Sequence, residues 1–133
     1  MTTFVFLFYV LRVTVAPDSQ LSLISAIEQH ESDCDSHAVK DKCYGCLQIG
    51  QKCLDDVNRN CGTSYALKDV LGNRDLSVEI FQAYIEMYAT EKRIGRKPTA
   101  EDMARIWNGG PDGWKMRGTL GYWHKVKRRM SPS

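Results

Sequence analysis

The chain has 133 residues, a length that suits one domain with a buried core and excludes two. Its 18 Lys and Arg against 16 Asp and Glu leave a net charge of +2, which excludes the strongly basic balance of a nucleic-acid-binding protein, and no nucleic acid is expected as a partner. The basic run Lys125-Val126-Lys127-Arg128-Arg129 is the local exception and reads as a solvated helix end, where cations complement the helix dipole.

The first sixteen residues differ in kind from the rest. Phe4 to Leu11 is a short apolar run, and Thr14-Val15-Ala16 supplies the small residues a signal peptidase needs, so residues 1–16 read as a secretion signal, although no Lys or Arg precedes the run. The run is too short for a bilayer, which takes about 20 apolar residues. A secreted domain is therefore expected over residues 17–133, without stable membrane insertion and acting as a monomer.

Asp18 or Ser19 can cap a first helix whose Leu23 or Ile24, Ala26 and Ile27 recur at helical spacing and which carries Glu31 at its C-terminal end. Residues 32–50 are rich in Asp, Ser, Cys, Lys and Gly and predict turns and short extended segments. Leu54, Val57 and Cys61 then mark a helix stopped by Gly62, and a short segment from Tyr65 to Leu71 stops at Gly72. The longest helix is expected from Asp75 to Ile94. Its stripe is Val78, Phe81, Ile85 and Tyr88, with Tyr84 and Met87 on the flank and Gly95 at the end. Thr99 caps the next helix, whose Met103, Ile106 and Trp107 face inward. Asn108 to Gly113 is a loop by composition, and Thr119 opens a last helix with Leu120, Trp123 and Val126 inward.

Five cysteines, Cys34, Cys43, Cys46, Cys53 and Cys61, are confined to one stretch. In a small secreted domain this reads as disulfide stapling, with one thiol left over and the connectivity open. Cys43-Tyr44-Gly45-Cys46 has the gap of a metal or redox pair, but no second pair or suitably spaced His accompanies it, so no metal or other cofactor is expected.

Taken alone, Glu31 fits a surface position near a helix end better than it fits chemistry. Cleaving a glycosidic bond needs a carboxylic acid whose pKa is raised by partial burial, and a Glu closing an apolar helical face suits that task. The strings that follow weigh on the same side. Glu31-Ser32, Gly45-Cys46-Leu47-Gln48, Ile106-Trp107-Asn108-Gly109-Gly110 and Thr119-Leu120-Gly121-Tyr122-Trp123 occur in that order. They resemble the motifs of the goose-type lysozymes and soluble lytic transglycosylases: Glu-Ser, Gly-Leu-Met-Gln, Ala-Tyr-Asn-Ala-Gly and Glu-Thr-x-x-Tyr-Val. The chain also resembles the invertebrate-type lysozymes, or destabilases, through Glu31-Ser32-Asp33-Cys34, the Gly45 to Ile49 segment, and Ala104-Arg105-Ile106-Trp107-Asn108-Gly109-Gly110-Pro111-Asp112-Gly113.

The resemblance implies a mainly α, lysozyme-like α+β fold, in which a helical bundle and a small irregular or β segment line a glycan-binding cleft. It implies cleavage of peptidoglycan at the β-1,4 bond between N-acetylmuramic acid and N-acetylglucosamine. Glu31 would be the general acid, Ser32 would hydrogen-bond and orient it, and Gln48 would contact the sugar near the cut. Asn108 and the backbone beside Gly109 would hold acetamido groups, and Tyr122 would lie against the Glu31 carboxyl. Asp41 lies close to where the invertebrate-type family carries its second acid and is the candidate to hold an attacking water. The alternatives are a lytic transglycosylase, which needs Glu31 alone and leaves anhydro ends, and a non-catalytic glycan-binding antibacterial protein. An isopeptidase would need a thiol nucleophile.

Overall fold

The computed structural model describes residues 17–130, and the signal expected over residues 1–16 lies outside the described residues. The first helix, α1 (Pro17–Ser32), buries Leu23, Ile24, Ala26 and Ile27 on one face. Each large aliphatic side chain so removed from water contributes roughly 1.5–3 kcal/mol. Strands β1 (Val39–Lys40) and β2 (Cys43–Tyr44) then pair antiparallel, Val39 opposite Tyr44 and Lys40 opposite Cys43. The connecting residues Asp41 and Lys42 both have positive φ, 49° and 64°. That is the backbone sense of a type I′ turn, whose twist matches a two-residue hairpin.

Helix α2 (Gln51–Cys61) ends at Gly62 in the left-handed region, as its sequence predicts. A 3-10 turn at Leu67–Val70 leads to α3 (Arg74–Tyr88), whose first turn is capped by Asn73 accepting from the Leu76 amide. The single long helix expected to reach Ile94 is instead broken. It stops at Tyr88, and a short α4 (Glu91–Ile94) restarts behind Thr90, whose hydroxyl accepts from the Arg93 amide at 3.2 Å. Arg93 also donates to the Tyr88 carbonyl at 2.9 Å, giving a partner to an acceptor at the interrupted helix end. The inner face of α3 is centred on Ser77, Ile80, Phe81, Tyr84 and Ile85, so Tyr84 belongs to the core, while Val78 and Tyr88 are half-buried.

Helix α5 (Ala100–Gly109) opens with the cap expected at Thr99, which Asp102 closes reciprocally into a capping box. Asp102 is buried and also accepts two bonds from Arg96, at 2.6 and 2.9 Å. Burial pushes its carboxyl pKa up, but the bonds from Arg96 and Thr99 outweigh that and hold it below the usual value. The helix continues through Asn108 and Gly109, where a loop was expected, and breaks only at Gly110, φ 89°. Two 3-10 turns, Gly113–Lys115 and Arg117–Thr119, then lead into α6 (Leu120–Arg129).

Thr119 does not cap α6 with its side chain. Its buried hydroxyl accepts from Arg105 Nε at 2.8 Å and donates to the Gly113 carbonyl at 2.7 Å. A Cβ on Gly113 would stand 2.0 Å from the Arg105 carbonyl oxygen, so the close passage of this loop over α5 admits only glycine. Helix α1 packs on α5 and α6, and α3 packs on α2 and α5. Among the described residues no helix is long and apolar enough to cross a membrane.

Candidate active site

A cleft of about 420 Å³ opens at the C-terminal end of α1. Glu31 lines it from α1, Lys40, Asp41 and Cys43 from the hairpin, Gln48 and Gly50 from the segment beyond, Cys53 from α2, Tyr84 from α3, and Trp107 and Asn108 from α5. Four candidates from the sequence, Glu31, Asp41, Gln48 and Asn108, are thus brought to one cavity. Ser32, Gly109 and Tyr122 are not on its wall.

Glu31 is half-buried, and burial pushes its carboxyl pKa above the usual value, against the opposing pull of the Tyr122 hydroxyl and of the Lys40 charge. Tyr122, reaching in from α6, donates to Glu31 Oε2 at 3.2 Å. Burial, with the Glu31 charge second, drives the Tyr122 hydroxyl upward, so it stays protonated and keeps donating. His30 packs edge-on against that ring, with centroids 5.1 Å apart. The Cys43 thiol is raised by burial first and then by Glu31 and Asp41, so both carboxylates act electrostatically on the same group.

The hydrogen bond expected from Ser32 to Glu31 is not made. Ser32 is buried, and its hydroxyl donates to the Cys46 carbonyl at 2.8 Å, stitching the end of α1 to the turn after β2. Neighbouring helix residues point about 100° apart, so Ser32 faces the core when Glu31 faces the cleft. Gly109 also serves packing, since a Cβ there would meet Thr119 Cγ2 at 2.6 Å. Gln48 holds a positive φ of 55° and donates its side-chain amide to the carbonyls of Gly45, at 2.9 Å, and Ala38, at 3.3 Å. With its NH2 group occupied, Oε1 is the atom left for a ligand. Trp107 Nε1 donates to the Leu47 carbonyl at 3.2 Å, tying α5 to the same turn, and its ring packs edge-on with Phe81 and Tyr84.

The expected disulfides are not formed, and all five cysteines are free thiols. They occupy different surroundings: Cys34 is exposed, Cys46 is sealed in the core, and only Cys43 and Cys53 share the cleft wall. Burial raises every one of them, Cys46 to about 11 and Cys53 to about 12. A thiol nucleophile needs the opposite shift.

Sequence reasoning missed Lys40 and Tyr84 as cleft residues, and it missed Glu28. One turn before Glu31, Glu28 is buried and accepts both a 2.8 Å bond from Arg74 Nε and a 2.7 Å bond from Arg74 Nη2. The partners are 46 positions apart, and no local pattern announces such a pair.

No protein-family profile matches the chain. A lysozyme of Ostrea edulis is 28% identical over 123 residues, spanning 82% of this chain and 88% of the oyster protein. Among solved structures, a chain from the crystal structure of Aeromonas hydrophila PliI in complex with Meretrix lusoria lysozyme matches at 28% identity. Its TM-score is 0.68, and the match covers 80% of this chain and 87% of that one. The chain is a relative of the invertebrate-type lysozymes and has their mainly α, lysozyme-like fold with a small antiparallel sheet.

Proposed function

We propose that this is a secreted muramidase that hydrolyses the β-1,4 bond between N-acetylmuramic acid and N-acetylglucosamine in peptidoglycan, with Glu31 as general acid. The carrying observation is that a half-buried carboxyl of raised pKa lines a cleft whose hairpin wall presents a second carboxylate, Asp41. The relationship to a protein named lysozyme supports the same reading. An acid that keeps its proton toward neutral pH can deliver it to the leaving glycosidic oxygen. Tyr122 occupies Oε2, which leaves Oε1 to carry and deliver that proton. Asp41 supports hydrolysis over anhydro-product formation, because it offers a base or stabilising charge that a transglycosylase does not need. Gln48 Oε1 and the Asn108 side chain are the polar groups available to the sugars' N–H and O–H groups.

Mass spectrometry of fragments released from purified peptidoglycan by wild type, Glu31→Gln and Asp41→Asn tests this. Hydrolysis predicts free reducing ends, lost in Glu31→Gln and strongly diminished in Asp41→Asn. Anhydro ends that survive Asp41→Asn would make the enzyme a transglycosylase, and no fragments from wild type would leave a glycan-binding protein.

A further inference from the structure

The mechanism makes no use of the basic end of α6. Lys125, Arg128 and Arg129 stand three and four positions apart, on one helix face, and line a concavity of about 840 Å³ together with Gln29, His30 and Asp33 of the α1 terminus. All three cations are exposed. Arg128 Nε and Arg129 Nη1 donate to backbone carbonyls of their own helix, at 3.3 and 3.1 Å, and among the described residues no carboxylate pairs with any of the three. Asp33 is the one carboxylate in the lining. The field of the groove registers on His30, whose pKa is lowered by burial first and then by Arg129 and Lys125.

We infer that this groove, beside the end of α1 that carries Glu31, binds a polyol-phosphate chain, the phosphodiester polymer class carried on bacterial wall glycan. Phosphodiesters fit because guanidinium forks and an ammonium read phosphate oxygens directly, and a chain bearing one charge per repeat can meet successive cations along the helix. Nucleic acid fits less well, because the lining offers one aromatic ring, His30, and that ring is already engaged with Tyr122. The choice of a wall polymer rests on the muramidase reading: the groove and the cleft flank one helix end, so a decorated glycan strand can be held at both.

The probe is purified poly(glycerol phosphate), titrated into the whole folded protein at low salt by calorimetry, with His30 followed by NMR. Binding should weaken as salt rises. The His30 pKa should move upward on binding, since the polymer neutralises the Lys125 and Arg129 field that Asp33 leaves uncompensated. The K125Q/R128Q/R129Q variant, altered at three exposed positions, should bind on the order of a hundredfold more weakly, while cleaving polyol-phosphate-free peptidoglycan as wild type does. Undiminished binding by the variant, an unmoved His30 in wild type, or tighter binding of a single-stranded DNA oligonucleotide would each overturn the assignment. Glu31→Gln separates the two readings. Full polymer binding with lost cleavage supports both, full binding with retained cleavage sinks only the general-acid role of Glu31, and full binding with no cleavage by wild type sinks only the muramidase assignment.

Discussion

On one side of the cleft, Glu31, Tyr84, Trp107 and Asn108 project from helices whose inner faces are closed to solvent; on the other, Lys40 and Asp41 project from a hairpin with strands of two residues each, and Gln48 from the turn that follows it. The helical wall derives its geometry from buried apolar area and from buried charges given a partner, such as Glu28 with the more exposed Arg74. The hairpin wall has little area to bury. It is shaped by left-handed residues at Asp41, Lys42 and Gln48 and by side-chain bonds to its carbonyls from Ser32, Gln48 and Trp107. Burial can raise the pKa of an acid and a strained turn can aim one, so the two walls suit different carboxylates.

The largest test of this contrast is Glu31→Gln, which should cut cleavage by about 10²–10⁴-fold. It should also stabilise the fold at neutral pH. The folded pKa of Glu31 lies above its unfolded value, so ionisation weakens the fold as pH rises beyond the ordinary carboxylate range. Urea unfolding should show the variant more stable at neutral pH and the gain vanishing at acid pH; equal stabilities throughout would mean the site stores no such cost. Next comes Arg74→Met, which strands the Glu28 carboxylate, 4% exposed, and should cost about 2–3 kcal/mol, below the range for a wholly buried pair because Arg74 is 51% exposed. A loss within measurement error would show that the pair does not lock the helical wall.

Tyr122→Phe removes a hydrogen bond that favours the charged form of Glu31. The alkaline limb of the pH–rate profile should therefore move to higher pH, and a move to lower pH would contradict the role given to Tyr122. The smallest effect belongs to the hairpin: Lys42→Gly, at φ 64°, relieves a left-handed non-glycine residue and should add roughly 0.5–1 kcal/mol with cleavage unchanged. Reduced cleavage in that variant would show that the strain itself aims Asp41.

Legibility in the sequence follows the same division. Helix α1, the Thr99 cap and the stop at Gly62 were readable because spacing and capping act within a few residues. The break at Ala89 was not, because the apolar pattern continues toward Ile94 and the competing cap and the Arg93 bond are polar details superimposed on it. Asn108 looked like a loop residue because glycines and a proline follow it, yet the helix gives way only where Gly110 takes a positive φ. Ser32 was misassigned although helix geometry already set it apart from its neighbour. Glu28 and the bond from Arg105 to Thr119 were invisible because those partners are set by the tertiary fold.

The bond between Tyr122 and Glu31 joins positions 91 residues apart. A chain still leaving the ribosome presents Glu31 long before the helix that covers it exists, and during that interval the side chain is an ordinary acidic carboxylate in water. The Tyr122 restraint on the acid is therefore a late contact of the molecule, and a product truncated before α6 would bear Glu31 without the donor that holds its carboxyl.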